Sequence, residues 1–468
     1  MTRTVLIISN RDGVLDARIE KSAPPLPRNW NDRVPFGFGA AALPLLNDSM
    51  QLEQYGNTLA MGLRQHPAIA QVLQQAFNAA AQQSHSLCFV VEADEGRQIR
   101  WETLRDDRGH FVALDGRCHI GRIVRSVSAE DSPRLFTPPL RLLAFLSGVG
   151  LDATEEWGAL ATAFDEAHAR GLPVKAEVRI GQTALLAQAQ GECDAGLHPA
   201  INVRAMPANG LELEAQIRAV RPHILHFFCH GKAAMGAAFL ELANAVDHVL
   251  PGRPGSISLA IDTLAQLEGL RDTWLVVLNC CEGGQSFNAM DSMAERLVSE
   301  AGLAAAIGML EPVAVGEASR FCAVLYPELF YLLEGVLNML PGALPQRVDL
   351  SPAMSRPRRA LRDLIPPLKG GARWTLPVLY QQEQPFQVFR PLPVAPIAPA
   401  APAPALDWAV VRAKTETVAG MLAGLPPDTP AEVRDRMLAL LDEAPVVPAA
   451  LRPDRWGRFG QEDEDLGG

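Results

Sequence analysis

Two stretches of the sequence end in groups able to do nucleophilic chemistry. HILHFFCHG, from His223 to Gly231, delivers His230, and TWLVVLNCCEGG, from Thr273 to Gly284, delivers Cys281. A thiol that attacks a carbonyl needs a group to take and return a proton, and donors for the oxyanion that forms. His230 is the candidate base and acid, and Cys281 the candidate nucleophile. The backbone amides of Gly231 and Cys281 are the candidate oxyanion donors, because a glycine beside the histidine lets the backbone approach a substrate closely.

Both stretches are runs of β-branched and aromatic apolar residues that stop at the reactive group. Buried parallel strands read this way, and in open α/β sheets the functional groups sit just beyond the carboxyl ends of the strands. Neighbouring strands are therefore expected to bring His230 and Cys281 to one edge. Cys280 is the other thiol to weigh, but along a strand it faces away from Cys281. His226 and Cys229 lie inside their strand and read as packed core. Asn279 reads as structural, with an orienting role for the cysteine loop as its alternative, and Glu282 and Gly284 shape the turn. A metal site from His226, Cys229, His230 and Cys281 lacks a chelating pair at zinc-finger spacing. No metal and no cofactor is expected.

The elements that position these residues can be read in order. Thr4 to Ser9 is a strand, followed by a loop rich in Pro and Asn to about residue 48. Glu53 to Gln83 places apolar residues at helical intervals, and Leu87 to Glu92 with Gln98 to Thr103 read as a hairpin. From Arg134 strands and helices alternate: strands over Leu140 to Ser147, Val174 to Ile180, Ile224 to Cys229, Leu275 to Asn279 and Ala304 to Met309, with helices between them. Such alternation indicates a parallel sheet with helices on both faces. Ala237 to Ala245 forms a short hairpin strand beside the site, before a turn-rich segment containing Pro251, Gly252 and Pro254. Trp374 to Tyr380 is a closing strand. The Pro/Ala stretch from Pro391 to Ala405 is a semi-rigid linker. Beyond it, Trp408 to Leu422 and Ala431 to Leu441 read as a helical pair before the acidic tail QEDEDLGG.

The histidine motif, carrying His226, Cys229, His230 and Gly231, and the cysteine motif, carrying Leu278, Asn279, Cys281, Glu282 and Gly284, together resemble the CHAT domain of the caspase and separase clan of cysteine peptidases. Cys281 follows His230 by about fifty residues, the interval that separates the two groups in caspases. IRWETL (Ile99 to Leu104) is similar to a stretch found ahead of CHAT cores, where Trp101 reads as a packing residue, and WTLPVLY (Trp374 to Tyr380) is similar to their ending.

The resemblance implies a caspase-like α/β fold, a parallel sheet flanked by helices. Residues 1–133 are then an amino-terminal α/β supporting region resembling a pseudo-subunit, 134–390 the catalytic domain, 391–406 the linker and 407–468 a small helical segment. It implies a Cys–His dyad with no obligatory third side chain, acting on a protein substrate. It also implies a role in bacterial immunity or programmed cell death, under a sensor or activating protein. Relatives carry Trp-Pro-Val and then an Asp before Glu-Ala. Here LEPVAVGEASRF has Glu311 in place of the Trp, and Val315 and Gly316 where the Asp falls. Asp152, Glu311 and Glu317 are left as candidate acids of the substrate pocket.

Composition sets limits on partners. A net charge of −11 over 468 residues argues against broad binding to nucleic acid or anionic membrane. Seven scattered cysteines fit a reducing compartment. The apolar run near Val5 is too short for a signal peptide or membrane span, so a cytoplasmic location is expected. A second reading is a catalytically silent scaffold that keeps the fold to bind a partner, against which the intact His230, Gly231 and Cys281 argue. A nucleotide switch ranks last, since no phosphate-binding glycine motif occurs.

Overall fold

Asp12 and Gly13, at φ 53° and 80°, fold strand β1 (Thr2–Arg11) back onto β2 (Val14–Ser22). A two-residue hairpin turn needs positive φ at its central positions, and Asp-Gly supplies it. The segment expected as loop thus holds a full strand, and the Asp-Gly pair was its signal. The computed structural model describes residues 2–22, 30, 32–44, 46, 49–78, 84–92, 94–125, 133–234, 237–249, 255–281, 288–364, 371–384 and 386–392. Beyond these it describes 413, 416–418, 420–422, 424–426 and 429–442.

After β3 (Val34–Pro35) come helices α1 (Ser49–Arg64) and α2 (Pro67–Asn78), strand β4 (His85–Val91), the short α3 (Asp94–Arg97) and β5 (Cys118–Val124). The hairpin expected over Leu87 to Thr103 does not form. β4 pairs in parallel with β1 and β5, and Trp101–Thr103 is a single 3-10 turn. Trp101 is fully buried and stacks on Phe89 with ring centroids 4.6 Å apart.

The chain continues through β6 (Arg134–Leu135), β7 (Leu140–Leu146), α4 (Thr154–Ala169), β8 (Val174–Ile180), α5 (Thr183–Asp194), β9 (Ile201–Ala205), α6 (Gly210–Val220) and β10 (Ile224–Ala234). Then follow β11 (Ala237–Leu242), β12 (Ile257–Ala260), α7 (Ile261–Ala265), β13 (Leu275–Cys281), α8 (Asn288–Ala301), β14 (Ala305–Met309) and α9 (Val315–Leu337). The last elements of this part are β15 (Gln346–Val348), α10 (Ser355–Leu364), β16 (Pro377–Gln382) and β17 (Phe386–Phe389).

One large sheet runs β3-β2-β1-β4-β5-β16-β14-β13-β10-β7-β8-β9, with β11 and β12 as a wing on β10. β14, β13, β10, β7, β8 and β9 run parallel to one another, as do β1, β4, β5 and β16. The two arrays meet antiparallel between β14 and β16, from Ala305 opposite Gln381 to Met309 opposite Pro377. The carboxyl ends of β10 and β13 therefore lie at the edge opposite to those of β4 and β5. β15, β17 and β6 form a separate small sheet.

Residues 1–392 make one compact unit and 393–468 another. A continuous apolar core runs through the first unit, from Leu6 and Phe89 to Phe145, Phe227 and Leu379. A fully buried carboxylate, Glu102, sits between two buried guanidinium groups, with Arg122 at 3.6 Å and Arg358 at 3.7 Å. Helix Ala431–Asp442 belongs to the second unit. Most of the first helix of the expected pair, the linker from 393, the QEDEDLGG tail and the turn residues Pro251, Gly252 and Pro254 lie outside the described residues. Among the described residues, no helix is long and apolar enough to cross a membrane.

Candidate active site

β10 has two parts. From Ile224 to His230 it pairs in parallel with β13, and from His230 to Ala234 it pairs antiparallel with β11. His230 stands where the two pairings meet, directly in register with Cys281, the last residue of β13. Adjacent strands lie about 4.8 Å apart, so the backbone alone brings the two candidate residues side by side. Cys280 instead pairs with Cys229, whose side chain is fully buried. The side chains of Cys280 and Cys281 lie outside the described atoms, as do Glu282 and Gly284.

The half-buried imidazole of His230 is oriented by backbone. Its Nε2 lies 2.8 Å from the carbonyl oxygen of Val149, in the loop after β7. A carbonyl only accepts, so Nε2 carries the proton and donates. Nδ1 is then the basic atom, and among the described residues it is buried without a hydrogen-bond partner. The loop comes this close because Gly148 lacks a side chain: a Cβ there would stand 3.2 Å from His230 Cδ2 and 2.5 Å from Leu151 Cδ1. Gly231 is buried opposite Leu240 in the antiparallel ladder. The sequence offered no signal for Val149, because a carbonyl contact places no demand on side-chain type.

Beneath the two strand ends lies a buried polar group. Glu156 from the first turn of α4 and His226 from β10 are both fully buried, with His226 Nε2 3.0 Å from Glu156 Oε1. Asn279 of β13 donates its amide to Glu156 Oε1 at 3.0 Å and to Cys322 Sγ of α9 at 3.3 Å. Tyr326, one turn further along α9, lies 2.9 Å from His226 Nδ1. Burial pushes the Tyr326 phenol well above its usual range, so it stays protonated and donates to Nδ1, leaving Nε2–H for the carboxylate. Burial also pushes the Glu156 carboxyl upward, but the donors His226, Cys322 and Asn279 outweigh it and hold the group below its usual value.

His226 is therefore buried, as a packed core residue is, but it is part of a hydrogen-bonded group. Glu156, Cys322 and Tyr326 escaped the sequence reading. Acids in a first helical turn are expected on dipole grounds alone, which masked Glu156. Glu156, His226 and Cys322 bring ligand-type atoms within 4.8 Å of one another, a donor set that zinc accepts, although those atoms are engaged in the hydrogen bonds just described.

The three candidate pocket acids all have local partners. Asp152 is exposed just ahead of α4, accepting from Thr154 N at 3.0 Å and Thr154 Oγ1 at 2.6 Å; these bonds hold its carboxyl below the usual value. Glu311 is ion-paired with Arg100. Glu317 accepts from Ala314 N at 2.9 Å and forms a two-pronged pair with Arg373, Nε to Oε1 and Nη2 to Oε2 both at 2.5 Å. Open clefts of about 380 Å³ beside Phe111 and Arg359 and about 440 Å³ beside Glu92 and Arg125 do not include His230 in their linings.

The CHAT domain family model matches residues 53–331, more than half of the chain and both motif strands. The chain belongs to the CHAT family. CHAT membership places the protein in a family of cysteine proteases. Among solved structures, the Arg-specific cysteine proteinase gingipain R is similar at 10% identity, over 68% of this chain and 68% of that chain, with a TM-score of 0.36. No curated protein matches this chain.

Proposed function

We propose that this CHAT protein is a cysteine endopeptidase in which Cys281 attacks the scissile carbonyl and His230 Nδ1 takes the thiol proton and returns it to the leaving amine. The observation that carries the reading is the register of His230 with Cys281, combined with the Val149 carbonyl that leaves Nδ1 as the basic atom. A base needs a fixed tautomer, and a backbone carbonyl fixes it without a third side chain. The amides of Gly231 and Cys281 are the proposed oxyanion donors. The proposed substrate is a protein, and the role is a limited, regulated cut in a partner, in line with the family's association with bacterial defence and programmed death. The second unit is then a docking, autoinhibitory or cleavable element, and a sensor or activating protein is the expected regulator.

The test is labelling of the full chain by a library of electrophilic peptide probes, comparing wild type with Cys281→Ala, Cys280→Ala and His230→Ala. Labelling lost in Cys281→Ala and His230→Ala and retained in Cys280→Ala is the expected result. Labelling that survives Cys281→Ala would sink the assignment of the nucleophile.

A further inference from the structure

A fully buried carboxylate in an apolar helix–sheet interface is costly unless donors and opposite charge compensate it, and functional sites are one place where such groups cluster. Glu156 is one, and it lies next to the dyad in the chain's own register. Asn279, which it grips, precedes Cys281 by two residues, roughly 7 Å along the strand, and His226 precedes His230 by four on the adjacent strand. His226, Phe228 and His230 alternate onto one face of β10, and their register partners Val277, Asn279 and Cys281 hold the corresponding positions of β13. The group thus ties α4 and α9 to both strands that carry the dyad.

We propose that Glu156 is a positioning residue for the His230–Cys281 dyad, acting through Asn279 and His226 to set the relative placement of the two strand ends and to put a fixed negative charge beneath them. The proposal rests on the peptidase reading and deepens it. Its two effects separate. The placement governs how fast a peptide-like electrophile is attacked, which needs thiol and imidazole in one geometry. The charge disfavours loss of a proton from a neighbouring thiol, so removing it should ease ionisation of Cys281. The other charged groups on the surrounding elements are Asp152 and Glu155 at the start of α4 with Asp165 and Glu166 further along it, Lys232 and Glu241 across β10 and β11, Glu317 and Arg320 at the start of α9 with Glu328 and Glu334 beyond, and Glu295, Arg296 and Glu300 on α8. All of them stay in place when Glu156 alone is changed.

The experiment measures alkylation of Cys281 in the full chain by iodoacetamide from pH 4 to 10, read residue by residue by mass spectrometry, together with the rate of a peptidyl chloromethyl ketone. In Glu156→Gln, which keeps shape and removes charge, the ionisation of the Cys281 thiol is expected to move to lower pH by about half a unit to one unit. The chloromethyl ketone rate is expected to fall about tenfold. A Glu156→Gln chain with a lower melting temperature but wild-type pH profile and probe rate overturns the proposal, since a purely structural residue would behave that way. Should that variant not fold, Asn279→Ser cuts the carboxylate off from the strand of Cys281 and leaves the anion in place. There the probe rate should fall about tenfold with the pH steps unmoved, and a wild-type rate overturns the proposal. One equivalent of zinc in the purified protein, lost in Glu156→Gln, also overturns it by making the cluster a metal site. If wild-type Cys281 instead titrates as an ordinary thiol near 8.5 and ignores peptide electrophiles, the peptidase reading itself fails, and the proposal falls with it.

Discussion

His230 Nε2 lies 2.8 Å from the carbonyl oxygen of Val149, and the neighbouring Gly148 is what lets that carbonyl reach the ring. A methyl group at residue 148 would meet both His230 Cδ2 and Leu151. Gly148→Ala is therefore expected to remain folded, at a cost of about 1–3 kcal/mol from overpacking, while the ring shifts off the carbonyl. Reaction of Cys281 with peptide electrophiles should slow at least about tenfold. Calorimetry alongside probe labelling checks both halves, and an unchanged labelling rate would show that the carbonyl contact does not set the base.

Asp152, Glu311 and Glu317 divide by their partners. Glu311 and Glu317 have their charge answered by Arg100 and Arg373, so changing them is expected to be felt as stability. Glu317→Ala also removes the acceptor for Ala314 N and should cost about 1–2 kcal/mol. Asp152 is exposed and bonded to Thr154 without a cation among its described partners, three residues past the loop that holds His230. Of the three carboxylates it is the one whose charge is not answered by a described cation. Asp152→Asn should lower the ratio of Arg-probe to norleucine-probe rates about tenfold, whereas Glu311→Gln should leave that ratio alone.

The contrast between strands shows what the sequence could and could not convey. β10 and β13 were legible because they read as unbroken apolar runs, and the candidate residues His230 and Cys281 stand where their parallel pairing stops. β5 was missed because His119 and Arg122 interrupt its run. Both are buried, His119 against Ser355 at 3.1 Å and Arg122 beside Glu102, and such partners come from distant parts of the chain. Similarly, His226 could be seen in its strand, but nothing in the sequence said that Glu156 and Tyr326, from two different helices, would meet it. Local pattern reports burial; it does not report which polar groups burial brings together.

Glu102 is the anion of a buried triad whose cations come from β5 and α10. Removing it leaves Arg122 and Arg358 facing each other with their main buried counter-charge gone. Glu102→Gln is expected to destabilise the first unit by about 3–5 kcal/mol, seen as a lower urea midpoint with little change in slope. A loss below about 1 kcal/mol would mean that the guanidinium groups are satisfied by the backbone carbonyls they also touch, among them Pro377 O and Ile120 O for Arg358.

Acid sensitivity follows from three buried histidines. Burial lowers His223 to about 3, and His85 and His119 to about 4. His223 shows why: its Nδ1 accepts the Arg141 amide at 2.9 Å, between the rings of Phe136 and Trp274, and a proton there would abolish that bond. The unfolded chain takes up these protons near 6.5, so below that pH it binds more protons than the folded chain and stability falls as pH drops. Each histidine should cost about 3 kcal/mol by pH 4. The lowered Glu156 carboxyl acts in the same direction, its stabilisation being lost as pH falls below the usual carboxylate range. Urea midpoints should therefore decline steadily from pH 6.5 to 4. In His223→Gln, whose carboxamide oxygen can still accept from Arg141, the dependence should weaken by about one proton per molecule, and an unchanged slope would show that His223 does not titrate on unfolding.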